Sequence, residues 1–540
     1  MRIEAWGFRL AEWVWTLIVF ALYFVVLIGI ATYRSDGMVN MGDYVLGGRR
    51  LGSFTIALSA GSSTASGWTM LVFPALAFAG GLMHLWTAAG IVLGGWLAWV
   101  VAAKRLRRYT ISADNALTIP EFWEKRFGDT TGTLRGVAAG ISLYFITLYV
   151  CSGLIAGAKL LEELFDLDHT GTGHDIAVVI TLLAVLSYTF IGGFLAVSRT
   201  DVFQALIMLG GFVIIPLTLM LTTSNPFEGL ESKAPGFWDP FTDAAGGGLG
   251  WTTYASALGW GLGAFGALRL LARFMALEDE RHIPRSTYIT VGWAGLMFSL
   301  GLLMGLVAAP ALAAQGVDIP DAERLYLVVS SVFFHPVVGG LLLTGVVAAV
   351  MSTADSQLLL ASAIASSDLP WFRRITAQLR AERRVTMGRL LLVAVGVVAA
   401  VISILSPESV FALVSLAWGG MGAAFGPVTV MALYWRRFNL AGAFAGVISG
   451  TVVSTFWWLM DLGNQGLLDL TNSLGFAASV SNLTEIGVWE VNPAVPGVAA
   501  ATVLAIAVTL ATAPPSGEIT RLFDKVNSPD WVDPTLDPVR

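Results

Sequence analysis

The sequence predicts an all-α integral membrane protein with about 13 transmembrane helices, on the basis of three observations. Of its 540 residues, 56% are hydrophobic and 13% are charged, whereas soluble domains are roughly 45–50% apolar and about 25% charged. Apolar runs of about 20 residues, each long enough to cross a hydrocarbon core about 30 Å thick, recur along the chain. Two of these runs are interrupted by clusters of small residues, which is typical of broken helices.

The apolar runs follow one another closely from the N-terminus to the C-terminus. They cover residues 13–33, 54–78, 82–103, 136–160, 176–197, 202–222, 254–277, 289–314, 338–362, 387–405, 410–433, 441–460 and 496–512. A polar segment at 224–250 separates the sixth run from the seventh, and a short amphipathic segment at 325–334 precedes the ninth. The odd number of runs predicts that the two termini lie on opposite sides of the membrane.

The second span is interrupted by Ser59–Gly67, a stretch of small residues in which five side chains carry a hydroxyl group. Backbone groups that leave a helix at membrane depth need partners, so such a break persists only inside protein or beside a water-filled cavity. Its neutral carbonyl and hydroxyl oxygens suit a small cation, and the end of a half-helix orients a polar solute. Close approach of two helices through small residues is the structural alternative.

A second break is predicted in the seventh span, where Gly259–Gly266 has glycine at four of eight positions. Glycine costs a helix interior about 1 kcal/mol relative to alanine. Corresponding breaks five spans apart indicate a transporter built from two inverted repeats of five spans. The predicted units are a first helix and cytoplasmic loop (1–50), a transport core (51–437, with repeats 51–223 and 252–437), two additional helices (438–513) and a cytoplasmic tail (514–540).

Lysine and arginine are distributed asymmetrically over the predicted loops. Loops after the odd-numbered spans contain nearly all of them, and the opposite loops contain mainly Lys233 and Arg324. Basic loops stay in the cytoplasm, so we expect a multi-pass cell-membrane protein with its N-terminus outside and its C-terminus cytoplasmic. We interpret these arginines, Arg273 among them, as topology determinants without a ligand. The single cysteine, Cys151, excludes a disulfide and a cluster of thiolate metal ligands.

Seven short motifs occur in one order along the chain. They are DYVLGGRRLG (43–52), SAGSSTASGW (59–68), ALTIPEF (116–122), FIGGFLAVS (190–198), LARFMA (271–276), AAVMST (348–353) and FGPV (425–428). Each is weak alone, but the ordered set resembles the sodium:solute symporter family, and is most similar to its sodium/proline symporters. The resemblance implies a five-plus-five inverted-repeat core, thirteen spans and sodium-driven uptake by alternating access.

The resemblance also implies a site for the coupling ion, Na⁺. Its ligands would be the backbone carbonyls of Ser62, Ala65 and Ala349 and the side-chain hydroxyls of Ser352 and Thr353. The last three positions are spaced i, i+3 and i+4, so they share one face of a helix. The alternative for this Ser-Thr pair is hydrogen bonding of the hydroxyls to carbonyls of the preceding turn.

Several positions match residues that the family uses to bind its solute. The resemblance assigns substrate contacts to Ser66, Gly67, Tyr149, Trp260 and Gly261. For Tyr149 and Trp260 the alternative is a packing or lipid-facing role, since the chain has 19 tryptophans and most of them must have that role.

Four positions depart from the sodium/proline symporter pattern. Thr64 stands where those relatives have an aspartate, Ala264 replaces a tyrosine, Leu268 a proline and Arg269 a histidine. We expect Ala264 and Leu268 to enlarge the pocket. We place Arg269 at the cytoplasmic end of the seventh span, although an inward orientation would let it pair with an acidic solute.

Two carboxylates lie at membrane depth, where ionisable groups are costly and commonly functional. Asp201 begins the sixth span, and Asp355 and Ser356 follow the proposed sodium ligands in the ninth. We expect these three residues to form a second cation site or a protonation site. The alternatives are that Asp201 caps its helix and that Asp355 pairs with an arginine.

The sequence therefore predicts sodium-coupled uptake of a small polar organic solute, most simply proline or a related amino acid. Another small organic solute, such as a carboxylate, and a transport-deficient membrane sensor are the alternatives. An enzyme is not expected, because the spans contain no histidine-rich or paired-carboxylate cluster. The expected partners are the solute, the sodium ion and the lipid bilayer, without nucleic acid. The oligomeric state is left open.

Overall fold

The computed structural model describes residues 2–33, 40–190, 192–223, 225–227, 235–405, 409–463 and 488–535, and the side chains from residue 14 onward. Lys233 and the segment 464–487 before the last span lie outside these ranges. Within them the chain is helical, and the only β-structure is two isolated bridges. The predicted all-α class is confirmed.

The helices follow the predicted order. They are α1 (Arg2–Thr32), α2 (Met41–Leu46), α3 (Ser53–Thr64), α4 (Phe73–Gly80), α5 (Leu85–Ala98), α6 (Lys104–Ser112), α7 (Ile119–Phe127), α8 (Thr133–Phe165), α9 (Thr172–Thr189), α10 (Phe194–Thr222), α11 (Trp251–Gly259), α12 (Leu268–Ala276), α13 (Ile283–Ala314), α14 (Leu325–Val332), α15 (Pro336–Asp368), α16 (Pro370–Ala377), α17 (Ala381–Leu405), α18 (Val410–Tyr434), α19 (Leu440–Asp461), α20 (Ala494–Ala511) and α21 (Gly517–Asn527).

The described residues contain 11 helical segments long and apolar enough to cross a membrane, or 12 with the bent pair α11–α12. One of these segments, Trp68–Ser112, has 45 residues. At 1.5 Å per residue it would be more than twice as long as the hydrocarbon core is thick. Gly81 interrupts it with φ 75° and ψ −151°, a conformation open to glycine. Dividing the segment there gives the predicted 13 spans.

Both predicted helix breaks are present. The helix α3 ends at Thr64, Ala65 is extended (φ −82°, ψ 95°), and helical turns resume at Trp68. In the seventh span a 3-10 turn follows α11, Ala267 is extended (φ −65°, ψ 95°), and α11 and α12 are bent by 42°. The breaks lie against each other, since the ring centroids of Trp68 and Trp260 are 4.6 Å apart.

Basic side chains at one end of the bundle hold several loops and the C-terminal tail together. The guanidinium of Arg107 donates to the carbonyl oxygens of Leu277 (2.8 Å) and Glu278 (2.5 Å) and pairs with Asp533 (2.5 Å). Burial raises the pKa of Asp533, but hydrogen bonds from Thr535 and Arg107 outweigh it and bring that pKa below its ordinary value. These basic residues therefore have structural contacts in addition to any effect on topology.

Candidate functional site

Hydroxyl groups of α15 face the end of α3 where the second span breaks. The Ser352 Oγ atom lies 3.2 Å from the carbonyl oxygen of Ser62 and 3.3 Å from that of Ala349. The Thr353 hydroxyl donates to the carbonyl oxygen of Ser63 at 3.2 Å. Ser352 and Thr353 are 0% and 2% exposed. Two segments 290 residues apart therefore bring neutral oxygens to one buried place.

This oxygen set fits a small monovalent cation. The last carbonyls of a helix lack intrahelical partners, and at the end of α3 they are directed to hydroxyls of α15. Carbonyls of unwound backbone and half-helix ends are typical sodium ligands. Ala65 lies in the break itself, 4% exposed. The carbonyl of Ser63 was not among the predicted ligands, and only the packing of α3 on α15 reveals it.

A cavity of about 70 Å³ lies beside the two breaks. A single water needs roughly 10–15 Å³ on this measure, so the cavity has room for a small solute. Ser66, Tyr149 and Trp260, three of the predicted solute contacts, line it, and the Tyr149 hydroxyl lies 3.3 Å from Ser66 Oγ. Ala264 also lines it. Leu268 is buried at the start of α12 and is not part of the lining.

Most of the cavity wall is aromatic or aliphatic. Beyond the predicted residues, its aromatic lining consists of Trp68, Trp99, Trp293, Phe298 and Trp418. Trp68 directly follows the first break, so its place in the motif signals its role. The other four lie on three other spans, where the sequence alone does not distinguish them from lipid-facing aromatics.

The two glycines predicted to contact the solute are not part of the cavity lining. A Cβ at Gly67 would lie 2.5 Å from the Cβ of Ala156, and one at Gly261 would overlap the backbone of Gly90. Both glycines therefore allow close helix packing around the breaks. Direct contact of either glycine with the solute remains a prediction.

The predicted positions of two arginines on α12 are wrong. Arg269 and Arg273 are 0% and 1% exposed inside the bundle. Arg273 donates to Ser59 Oγ (3.1 Å), Asp201 Oδ2 (3.1 Å) and Ser356 Oγ (2.6 Å). The assignment of basic residues to cytoplasmic loops fails for Arg273, because polar residues of three neighbouring helices accept the hydrogen bonds of its guanidinium inside the protein.

The predicted second cation set surrounds this guanidinium. Asp201 lies inside α10 and accepts hydrogen bonds from Ser59 and Arg273, so it does not cap the helix. Asp355 accepts a hydrogen bond from the Tyr188 hydroxyl. Each carboxylate keeps one oxygen, Oδ1, without a hydrogen-bond partner among the described residues. Two free buried carboxylate oxygens agree with a cation or proton site, which remains a prediction.

If Asp355 takes part in a second cation or proton site, Asp355→Asn is expected to change the number of sodium ions moved per solute. The substitution keeps the shape and removes the charge that would bind the ion. Parallel fluxes of radioactive sodium and solute in proteoliposomes measure this ratio. Tyr188→Phe is the control, since it removes the hydroxyl that bonds to Asp355 and to the Met351 carbonyl and leaves the carboxylate in place. An unchanged ratio in Asp355→Asn would leave that carboxylate a structural role alone.

Comparison with known proteins identifies the family. A model of the sodium:solute symporter family matches residues 44–450. The chain belongs to this family. It is therefore a sodium-coupled multi-pass transporter of the plasma membrane, and not an enzyme.

Curated relatives of this symporter include the sodium/proline symporter of Staphylococcus aureus, 34% identical over 455 residues, which cover 83% of this chain and 87% of the relative. The protein of strain Newman is 35% identical over 458 residues, with the same coverage.

Solved structures share the fold at low identity. A substrate-bound, outward-open Na⁺-coupled sialic acid symporter has a TM-score of 0.72 at 16% identity, covering 93% of this chain and 98% of its own. A nucleobase-cation-symport-1 family transporter with bromovinylhydantoin bound has a TM-score of 0.51 at 13% identity, covering 91% and 99%. These two likenesses concern the fold alone.

Proposed function

We propose that this symporter takes up a small polar organic solute together with sodium, and that proline or a related amino acid is the first candidate. The observation that carries the proposal is the convergence of the Ser352 and Thr353 hydroxyls on the carbonyls of Ser62 and Ser63, beside the cavity. The names of the relatives at 34–35% identity support proline as the solute.

Sodium and solute would be coupled through the break in the second span. In the second span the last proposed ion ligand is Ala65, and the next residue, Ser66, lines the cavity. An ion held between α3 and α15 would set the conformation of this break and hence the position of Ser66. Coupling of this kind is reciprocal, so the solute would also raise the affinity for sodium.

The cavity offers different partners to the two ends of an amino acid. Hydroxyls of Ser66 and Tyr149 would donate to a carboxylate. The face of Trp260 would accept an ammonium group by a cation–π contact. A carboxylate solute without an ammonium group is the second candidate, because Thr64 replaces the aspartate of the sodium/proline symporter pattern and Arg269 is buried on the adjoining half-helix.

Uptake of labelled proline into proteoliposomes tests the proposal. We expect uptake to require an inward sodium gradient, and we expect Ser66→Ala and Trp260→Ala to reduce it by at least about tenfold, through loss of cavity contacts. Trp251→Ala is the matched control, because Trp251 lies in the same span but is 65% exposed. Should proline neither enter nor compete at millimolar excess while an unrelated solute enters, the proline assignment fails and the family-level function stands.

We propose that the N-terminus lies outside and the C-terminus in the cytoplasm, and that residues 51–223 and 252–437 form the two repeats of the core. Cysteines introduced at Arg281 and Asp318, both exposed, would report the sides in a Cys151→Ala background. An impermeant maleimide added to intact cells is expected to label Asp318→Cys and not Arg281→Cys. Labelling of Arg281→Cys and not of Asp318→Cys would show that the protein has the opposite orientation in the membrane.

A further inference from the structure

Arg269 is a buried arginine to which the described residues offer no carboxylate partner. Its side chain is 0% exposed, and none of its three guanidinium nitrogens has a hydrogen-bond partner in the part of the chain that the structure describes. Arg273, one turn further along α12, has side-chain donors directed to Ser59, Asp201 and Ser356. The two arginines share one helix and equal burial, so the difference lies in what surrounds Arg269.

Two aromatic rings lie beside the guanidinium of Arg269. Its guanidinium carbon lies 4.2 Å from the ring centroid of Tyr149 and 5.2 Å from that of Trp418. Cation–π contacts offset only part of the cost of burying an unpaired charge. A buried guanidinium also retains donors in a planar fork that matches a carboxylate. Arg269 is thus left with unused capacity for an anion.

Both of these rings line the cavity, and the Tyr149 hydroxyl lies 3.3 Å from Ser66 Oγ within it. No lining residue is an aspartate, glutamate, lysine, arginine or histidine. Arg269 is not itself a lining residue, but it contacts both of these lining rings. An anion that enters the cavity would meet no competing carboxylate on the walls.

We propose that Arg269 is the counter-ion of a carboxylate on the transported solute, so that the symporter selects carboxylate-bearing solutes, including those that lack an ammonium group. This rests on the proposed function, since it assigns the cavity to the solute. Arg269 acts as a specificity-determining residue, and a charge-assisted pair replaces the missing counter-ion.

Solute binding to the purified full-length protein tests this directly, with the fluorescence of the cavity tryptophans as the signal. The probes are two acid and amide pairs, proline with prolinamide and cyclopentanecarboxylate with cyclopentanecarboxamide. The wild type is expected to prefer each acid. Arg269→Gln is expected to weaken acid binding by roughly 10- to 100-fold and to leave amide binding unchanged, as the loss of a charge-assisted hydrogen bond predicts.

A matched control is Arg105→Gln. Arg105 also stacks on a tyrosine, with its guanidinium carbon 3.8 Å from the Tyr434 ring centroid, and neither residue lines the cavity. The Arg105→Gln variant should prefer the acids over the amides to the same degree as the wild type. Arg269→His, measured at pH 8 where a histidine of ordinary pKa is neutral, is a second variant with the same expected loss.

Thermal unfolding separates a binding role from a structural one. Without solute, Arg269→Gln is expected to melt no lower than the wild type, because it removes an unpaired buried charge. A lower melting temperature with an unchanged acid preference in Arg269→Gln or Arg269→His would overturn the proposal, and so would stabilisation by chloride in place of the acids. Acid binding that depends on Arg269, without sodium-driven uptake of any probe, would refute the proposed function and leave Arg269 as an anion site.

Discussion

Thr353→Ala is expected to raise the sodium concentration for half-maximal uptake by roughly 10- to 100-fold, with little change in the amount of folded protein. The Thr353 hydroxyl lies 3.2 Å from the carbonyl oxygen of Ser63, and in the proposed ion site it is one of a few neutral ligands. Loss of one hydrogen-bonding group to a charge costs about 1.5–3 kcal/mol, which corresponds to that change in affinity. Initial rates of uptake at varied sodium concentration measure the effect.

Two variants on the same helix serve as controls for this result. Thr353→Ser keeps the hydroxyl and should keep sodium dependence close to that of the wild type. Thr344→Ala removes a buried hydroxyl that bonds to the preceding turn, at Gly340, and should also leave sodium dependence unchanged. If Thr353→Ala and Ser352→Ala both show the sodium dependence of the wild type, the assignment of these hydroxyls as ion ligands is wrong.

Gly261→Ala is expected to abolish accumulation of the folded transporter. A Cβ at this position would overlap the carbonyl of Gly90 and approach the Cα of Gly94 at 3.2 Å, and these are backbone atoms that cannot rotate away. Overpacking of a dense interior commonly costs 1–3 kcal/mol and occasionally more. Because this contact joins the seventh span to α5, the substitution would destabilise the helix packing that encloses the cavity. Expression and thermal unfolding of the purified protein measure it.

Gly140→Ala is the matched control, because a Cβ at Gly140 meets nothing within 4 Å and Gly140 does not line the cavity. Alanine there should be neutral or should stabilise α8 by up to about 1 kcal/mol, the helix propensity difference. If Gly261→Ala folds as stably as the wild type and loses solute binding alone, the direct solute contact predicted for Gly261 is correct and the packing explanation fails.

The spans and the two breaks are predictable from sequence because they depend on local properties. A window of about 20 residues reports whether a segment is apolar enough to cross the bilayer. Four glycines in eight positions indicate where a helix ends early. The short periodicity of Ala349, Ser352 and Thr353 likewise places three polar groups on one helix face without knowledge of their partner.

The partners of those groups depend on how distant helices pack. Ser62 and Ser352 are 290 positions apart, and no local pattern indicates that Ser63 faces Thr353. The same holds for the aromatic wall of the cavity, since tryptophans facing the solute and tryptophans facing lipid look alike in a window of sequence.

The sequence by itself determined that the chain spans a membrane about thirteen times and that two of its helices are interrupted, because hydrophobicity and glycine content act locally. Only the tertiary structure decided the roles of the charged residues inside. Arg273 has a carboxylate and hydroxyls around it, and Arg269, on the preceding turn of the same helix, has aromatic rings. The energy of a buried charge depends on the groups that other helices place beside it, and that arrangement exists only in the folded chain.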